Sequence, residues 1–335
     1  MSAGSVSKGG RSVLERSPLA RLPDRALRWS LTGIAFGILV LLVYFFGRLA
    51  SESVDVFRQA GLFGFTFTDD WNPSQSQFGA LSLLFGSVVT ALVALAIGVP
   101  IAVATALFIG EMCPERLRGP FTVLIELLAA VPSVVYGLWG VFFLIPRLRP
   151  FEQWAADTFG FLPWVGGPVA GPSYFIAGLI LAVMILPVVS AISREVVTTV
   201  PDTHKEAALA LGATRWEMIR IAILPYSRVG ITGAAMLGLG RALGETIAVT
   251  LVIGNASGIG HQIFDQGYSL AAVVANEFGE ASAVPLYKSA LFACGLVLFV
   301  LTLIVNAIAR WIVSLSDIER RADRIRKGEP SEATA

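Results

Sequence analysis

Two residues of opposite charge, Arg241 and Glu245, interrupt the apolar segment GLGRALGETIAVTLVIGN. If this segment is a single helix, residues four positions apart lie on one face, so both side chains are expected to project together. A guanidinium forms two parallel hydrogen bonds to a tetrahedral oxyanion, and Arg241 therefore suits phosphate or sulfate. A carboxylate repels sulfate but accepts a hydrogen bond from a protonated phosphate, so Glu245 favours phosphate. The pair predicts a charged lining of an anion path.

The apolar setting of this pair favours a functional role. A charge at the centre of a bilayer costs about 2.5–3.5 kcal/mol, and an exposed pair at this spacing returns only about 0.2–0.5 kcal/mol. An internal salt bridge that specifies the fold is the alternative, and Glu245 could also simply orient Arg241. Ala234, Gly238 and Ala248 fall on the same predicted face. Their small size leaves room for a cavity or for close helix contact.

A polar loop, VPDTHKEAALALGATRWEMIRIAILPYS, precedes this segment. Asp202 or Thr203 is expected to cap a short helix that runs from about His204 to Leu211. Gly212 then supplies the permissive backbone that ends this helix. The pattern predicts a short helix with small side chains at the membrane surface.

A second short helix is expected directly after Gly212. Thr214 and Glu217 have the spacing of a capping box, and Pro225 is expected to end the helix before the next apolar segment. The loop is therefore predicted to be a helix–turn–helix.

Other kinds of chemistry have no support in the sequence. The runs typical of nucleotide-binding P-loops, zinc proteases and serine hydrolases do not occur. His204 and His261 are single and separated, so no metal site or cofactor is predicted. Cys113 and Cys294 lie far apart in apolar surroundings and are expected to be buried thiols. We expect a non-catalytic chain that cannot hydrolyse ATP by itself.

The composition indicates the class of protein that positions these groups. Of the 335 residues, 55% are apolar and 15% are charged, whereas a soluble domain carries about 25% charged residues. The mean hydropathy is +0.72. The net charge of +1 gives no reason to expect a nucleic-acid partner. We predict an all-α membrane protein in contact with lipid.

Six apolar segments are long enough to cross a membrane, which takes about 20 residues. The predicted spans are 29–48, 81–110, 121–145, 174–193, 228–254 and 287–313.

The third predicted span contains two features of note. Pro132 and Ser133 are expected to produce a kink. Glu126, near the inner end of that span, is expected to be a snorkelling or paired residue.

Lysine and arginine positions give the expected orientation. With both termini in the cytoplasm, nineteen of the 25 Lys and Arg residues lie inside and five lie outside, as the positive-inside rule requires. The predicted organisation is a cytoplasmic tail at 1–27, a transmembrane domain at 28–315 and a second cytoplasmic tail at 316–335. The domain includes an external loop at 50–80 and the cytoplasmic loop at 202–225.

The cytoplasmic loop resembles the EAA loop of ABC importer permeases in its order of residues and its position before the penultimate span. The matching residues are Glu206, Ala207, Ala208, Gly212, Leu224 and Pro225. The resemblance implies that the short helix inserts into a cleft on a separate nucleotide-binding subunit and transmits its closure. Pairing of Glu206 with a basic residue of that subunit is also implied only by the resemblance.

Three further segments resemble PstC-type phosphate permeases: GLGRALGETIAVTLVIGN, WNPSQSQFGALSLLFGSVVTA and AAVPSVVYGLWGVF, within residues 70–315. The resemblance implies a type I ABC importer permease of the bacterial inner membrane. It also implies a role for Arg241 and Glu245 in phosphate passage. The implied partners are a pair of ATP-binding subunits, a sister PstA-type permease and an extracytoplasmic phosphate-binding protein.

Two other functions remain open at this point. One is a permease for another oxyanion, such as sulfate or molybdate. The other is a secondary transporter that works without ATP, which would keep the charged pair but would have no reason for the helix–glycine–helix loop. An intramembrane enzyme would need a nucleophile–base or metal constellation inside the spans, and the sequence contains none.

Overall fold

The computed structural model describes the backbone of residues 22–281 and 283–327, with side chains described from residue 27 to residue 311 except residue 282. The chain divides into two compact units, of which the first ends at Ser51 and the second begins at Glu52. Helix α1 (Leu22–Glu52) accounts for all of the described part of the first unit. Most of the predicted tail at 1–27 and the last residues of the tail at 316–335 lie outside the described residues.

The second unit is built from helices and one small hairpin, and π-helical turns follow three of the helices, at Phe108–Met112, Gly140–Leu144 and Ile219–Ile223. In chain order its elements are α2 (Val54–Ala60), α3 (Leu62–Phe67), β1 (Trp71–Asn72), β2 (Gln77–Phe78), α4 (Leu81–Leu107), α5 (Glu115–Ala130), α6 (Ser133–Trp139), α7 (Ile145–Phe159), α8 (Tyr174–Thr198), α9 (Asp202–Ala210), α10 (Arg215–Met218), α11 (Leu224–Gly244), α12 (Ile247–Val252), α13 (Leu270–Ala281) and α14 (Pro285–Lys327).

Helix α8 is the centre of the core, because its apolar side chains are buried along most of its length. Small residues let the neighbouring helices approach it closely, as is common between membrane helices. A Cβ at Gly98 of α4 would lie only 3.1 Å from the Cα of Ala182. On the side of α11, a Cβ at Gly238 would lie 2.7 Å from Val189. Helices α4 and α11 are therefore both packed against α8.

Six helical segments in the described part of the chain are long and apolar enough to cross a membrane, so the predicted number is confirmed. Four agree with the predicted spans to within a few residues, and the third and fifth differ. The segments are Leu27–Glu52, Leu81–Met112, Ser133–Phe159, Tyr174–Thr198, Arg215–Gly244 and Pro285–Trp311.

The third predicted span, 121–145, is wrong as a single helix. Helix α5 ends at Ala130, and Val131 and Pro132 are both extended, with ψ angles of 127° and 142°. Proline disfavours a helical conformation in the residue before it and lacks the N–H that would continue the helix. The expected kink at Pro132 is therefore present as a complete break, after which α6 begins.

A partly buried carboxylate fixes the external hairpin of β1 and β2. Glu277 of α13 accepts hydrogen bonds from Nε1 of Trp71, at 2.9 Å, and from the hydroxyl of Tyr287, at 2.5 Å. Tyr268 lies beside this group, and burial raises the pKa of its hydroxyl, which therefore stays protonated. The external loop predicted at 50–80 is thus folded onto the helices that follow the fifth span.

Candidate functional site

The fifth span breaks close to its two charged residues. Helix α11 ends at Gly244, and Glu245 is extended, with φ −73° and ψ 131°. The Oε1 atom of Glu245 then accepts a hydrogen bond from the backbone N–H of Ala248, at 3.3 Å, at the start of α12. The prediction of one helix over 228–254 is therefore wrong. Gly244 weakens the end of α11, and the Glu245 carboxylate accepts a hydrogen bond from a backbone N–H at the start of α12 that has no partner within the helix.

This break separates Arg241 from Glu245. Arg241 lies in the last turn of α11, and Glu245 lies beyond its end, so the prediction that the two share one helix face is wrong. The described residues contain no ion pair between them. The alternative of an internal salt bridge that specifies the fold is therefore also wrong.

The side chain of Arg241 is exposed on the isolated chain, whereas Glu245 is partly buried. No hydrogen bond or ion pair of the Arg241 guanidinium is present among the described residues, so its five N–H donors are free for a ligand. A charge facing lipid at this depth costs about 2.5–3.5 kcal/mol. The guanidinium is therefore expected to face a water-filled path or a partner chain.

The small residues near this pair serve close helix contact. Ala234 and Gly238 are buried on the side of α11 that faces α8. Ala248 is fully buried, and a Cβ at Gly137 of α6 would lie 3.1 Å from its Cα. Of the two outcomes expected for these residues, close packing is the one observed. It holds α11 and α12 firmly while Arg241 stays exposed.

The breaks in the third and fifth spans lie beside each other. Helices α6 and α12, which follow the two breaks, are in contact, and a Cβ at Gly140 would lie 2.7 Å from Val252. Tyr136 closes the first break by donating its hydroxyl to the carbonyl of Leu128, at 2.7 Å, and it is near enough to Arg241 for an electrostatic interaction. Two discontinuous helices thus meet next to the guanidinium, an arrangement that membrane transporters use for binding ions.

The cytoplasmic loop contains the first predicted short helix, with a different start. Helix α9 begins at Asp202 after Pro201 and has no side-chain cap, so the predicted capping by Asp202 or Thr203 is wrong. Proline needs no N–H at a helix start, and Asp202 instead places a negative charge in the first turn. Glu206 and Ala207 are exposed, and Ala208 packs partly against the apolar cluster around Met218.

The turn after α9 is as predicted. Gly212 has φ +84°, in the region that favours glycine, and a Cβ there would have no neighbour within 4 Å. The Glu217 carboxylate accepts from the N–H of Thr214, at 2.7 Å, and the Thr214 hydroxyl accepts from the N–H of Glu217, at 3.3 Å. The predicted capping box is confirmed. Gly212 is required for its backbone conformation alone, since there is space for a side chain.

The second short helix does not end at Pro225. Helix α10, the π-helical turn at Ile219–Ile223 and α11 form one continuous segment, in which Leu224 and Pro225 occupy the first turn of α11. Proline is tolerated in a first helical turn, and the π-helical turn changes the hydrogen-bond register just before it. The predicted termination is wrong. The loop is therefore joined directly to the helix that carries Arg241.

An ion pair that the sequence did not indicate holds α9 in place. Nζ of Lys205 lies 2.8 Å from Oε1 of Glu111, with only 16% and 11% of the two side chains exposed. Nζ lies 3.5 Å from Asp202, whose side chain is 86% exposed. Because Glu111 belongs to the π-helical turn after α4, this pair ties the cytoplasmic loop to the end of the second span.

Within the described residues, no group of three or more His, Cys, Asp and Glu side chains is placed to hold a metal ion. Cys113 and Cys294 are buried free thiols, as predicted.

Comparison with known proteins identifies a family whose pattern covers most of these elements. The family described as binding-protein-dependent transport system inner membrane component matches residues 98–315. That stretch includes α8, the cytoplasmic loop, both halves of the broken fifth span and most of α14.

Several curated relatives cover most of the chain. The phosphate transport system permease protein PstC of Mesorhizobium japonicum is 42% identical, over 91% of this chain and 98% of its own length. PstC of Pasteurella multocida is 43% identical, over 83% and 88%. PstC 2 of Mycobacterium tuberculosis is 42% identical, over 84% and 89%.

Solved structures with a similar fold are more distant in sequence. A bacterial alginate ABC transporter in complex with an alginate pentasaccharide-bound periplasmic protein matches with a TM-score of 0.56 and 18% identity, over 88% of this chain and 98% of that chain. A second structure, of a bacterial ABC transporter that imports alginate, gives a TM-score of 0.54 and 16% identity, over 87% and 98%. The fold is that of ABC importer permeases.

Proposed function

The chain belongs to the family of binding-protein-dependent transport system inner membrane components, and from that premise we propose that it is the PstC-type permease subunit of a phosphate importer. It is a multi-pass membrane protein, and the proposed location is the bacterial cytoplasmic membrane. Energy comes from ATP hydrolysis on a separate subunit, because the sequence contains no P-loop. The proposed substrate is inorganic phosphate.

The observation that carries this proposal is the unpartnered guanidinium of Arg241 at a helix break. A tetrahedral oxyanion offers the paired oxygens that this fork recognises, and the path leads past two discontinuous helices. Glu245 lies just beyond the break and accepts a hydrogen bond from Ala248 with one oxygen. Its other oxygen is available to a protonated phosphate and would repel a fully ionised sulfate. This arrangement supports phosphate as the preferred anion.

The exposed face of the cytoplasmic loop is the proposed contact with the ATP-binding subunits. Glu206 and Ala207 are exposed on α9, and Leu211 and Trp216 beside them expose 90% and 63% of their surface. These exposed apolar side chains on an otherwise polar loop support a protein contact at this face. In this proposal, α9 occupies a cleft on the ATPase, and Gly212 sets the angle between α9 and α10.

The remaining partners are proposed from the family. A sister PstA-type permease would complete the path that Arg241 faces, and an extracytoplasmic phosphate-binding protein would deliver the anion from outside. Inward- and outward-facing states then alternate around the two helix breaks. In this scheme the binding protein provides most of the affinity for phosphate, and the permease provides the route across the membrane.

Phosphate uptake by the reconstituted importer tests the proposal. Arg241→Ala should leave assembly with the ATPase intact and should lower the rate of phosphate uptake by about 100-fold or more, since a charge-assisted bidentate contact is worth about 3 kcal/mol or more. Arg228→Ala is the matched control, because Arg228 is exposed on the same helix, α11, at its cytoplasmic end. It should transport at the normal rate.

Three results would contradict the proposal. Normal phosphate uptake by Arg241→Ala would remove Arg241 from the path. Uptake of sulfate or molybdate in preference to phosphate by the unmodified importer would mean that the substrate is another oxyanion. Uptake without the ATPase subunits would favour the secondary transporter instead.

A further inference from the structure

A cavity of about 460 Å³ lies at the cytoplasmic end of the spans, away from the break that carries Arg241. It is open to the surroundings and is lined by the π-helical turn after α4, by the start of α5 and by the last turns of α8. Two arginines from different helices line it, Arg118 of α5 and Arg194 of α8. The proposed phosphate path past Arg241 does not account for these two arginines.

Neutral groups hold both arginines in place. One Nη of Arg118 donates to the carbonyl of Gly110, at 2.7 Å, and Nη1 of Arg194 donates to the hydroxyl of Thr122. The same Thr122 hydroxyl donates to the carbonyl of Arg118, at 2.8 Å. Thr122 therefore ties the Arg194 side chain to the backbone of Arg118, and Gly110 orients the Arg118 guanidinium, so both groups are held before any ligand arrives.

Neither guanidinium is neutralised by a carboxylate in the described residues, since no ion pair of Arg118 or Arg194 within 4.0 Å is present there. Each arginine has five N–H donors and uses one, which leaves several free on both sides of the cavity. Glu195 is the one acidic residue lining the same cavity. The lining therefore keeps a net positive charge.

We propose that Arg118 and Arg194 form a second anion site on the cytoplasmic side, which binds a phosphate group. Two guanidinium groups on separate helices match the several oxygens of a phosphate better than a single carboxylate. The group belongs either to free inorganic phosphate or to the head of an anionic phospholipid, because basic pockets between membrane helices at the cytoplasmic side suit both.

The site is placed to sense conditions inside the cell. The turn at Phe108–Met112 provides the carbonyl of Gly110 that holds Arg118, and its next residue, Glu111, pairs with Lys205 of α9. An anion bound between the arginines therefore acts on the same turn that fixes the cytoplasmic loop.

The test uses the assembled importer in nanodiscs, with Arg241→Ala in every protein so that binding at the proposed path is removed. One arm measures binding of radiolabelled inorganic phosphate in phosphatidylcholine nanodiscs. The other arm measures phosphatidylglycerol retained on the complex by native mass spectrometry. Arg118→Gln and Arg194→Gln should each weaken binding of the occupant about tenfold, the loss expected for one charge-assisted contact.

Two further variants test whether an effect is specific to the cavity. Arg116→Gln removes the same charge from the same turn of α5, at a position that does not line the cavity, and it should change neither measurement. Glu195→Gln removes the opposing charge and should tighten binding by a few-fold. This gain of affinity cannot result from misfolding.

The outcomes separate the two sources and decide the proposal. Loss in the first arm identifies free phosphate, and loss in the second arm identifies a lipid head group. If both probes bind equally to Arg118→Gln, Arg194→Gln and the unmodified site, or if Arg116→Gln has the same effect, the proposed site is overturned.

Discussion

The ion pair between Lys205 and Glu111 is expected to control how firmly the cytoplasmic loop is attached to the membrane helices. Lys205→Met removes the ammonium group and keeps most of the apolar stem, so packing of the side chain is largely preserved. The Glu111 carboxylate is then left without its partner at 11% exposure. We expect α9 to detach more often from the turn at Phe108–Met112.

The size of this effect follows from the burial of the pair. Removing one partner of a fully buried pair costs about 3–5 kcal/mol, and exposed pairs are worth about 0–1 kcal/mol. With 16% and 11% of the two side chains exposed, a value of about 2 kcal/mol is expected. At 1.4 kcal/mol for each factor of ten, this corresponds to roughly a 30-fold decrease in the equilibrium constant for attachment of α9.

Two measurements on the reconstituted importer report this loss. Hydrogen exchange of the α9 amides should accelerate in Lys205→Met, and ATP hydrolysis stimulated by phosphate and its binding protein should fall. Asp202→Asn is the matched control. It removes a charge 3.5 Å from the same Nζ atom, but the Asp202 side chain is 86% exposed, so both measurements should stay close to normal.

A double variant distinguishes loss of the pair from general damage. In Glu111→Gln with Lys205→Met no unpaired charge remains, so the double variant should exchange more slowly than the Lys205→Met single variant. If the double variant is as damaged as the sum of the single variants, or if Lys205→Met behaves like Asp202→Asn, the ion pair does not hold α9 and the reasoning is refuted.

Two further predictions concern the charged break and the turn. Glu245→Gln should lower phosphate uptake while assembly and basal ATP hydrolysis stay normal, because the single amide oxygen is needed by Ala248 and the amide nitrogen cannot accept from a protonated phosphate. Normal uptake would exclude this role. Gly212→Ala should destabilise the loop by about 1–2 kcal/mol through its left-handed backbone alone, since a Cβ there meets nothing within 4 Å. Gly212→Asn should destabilise the loop less, because asparagine tolerates that backbone region. Affinity for the ATPase should therefore fall in the order unmodified protein, Gly212→Asn, Gly212→Ala. Equal binding by all three proteins would mean that the positive φ is not required.

Local patterns in the sequence predicted the features that depend on nearby residues. The capping box of Thr214 and Glu217 and the glycine turn at Gly212 are set within a few positions of the chain. Hydropathy predicted six spans, because length and apolar content are local properties as well. The break after Ala130 followed from Pro132, although its full extent did not.

Features that depend on distant contacts were missed. Lys205 and Glu111 are 94 positions apart, and no spacing rule connects them. The break at Glu245 contains no proline, so periodicity continued the helix through it. Whether the helix stops there depends on the hydrogen bond from Ala248 to Glu245 and on how closely α6 packs against α12.

The break changes how movement of the loop is expected to reach the anion. Arg215 and Arg241 lie on one continuous helical segment, about 39 Å apart at 1.5 Å per residue, whereas Glu245 lies beyond its end. A displacement of α10 therefore carries Arg241 along and leaves Glu245 with α12, which changes the distance between the two charged groups. We infer that Lys205→Met and Glu245→Gln affect different steps, the first the attachment of α9 and the second the handling of the anion. Faster hydrogen exchange of α9 in Glu245→Gln would contradict this separation.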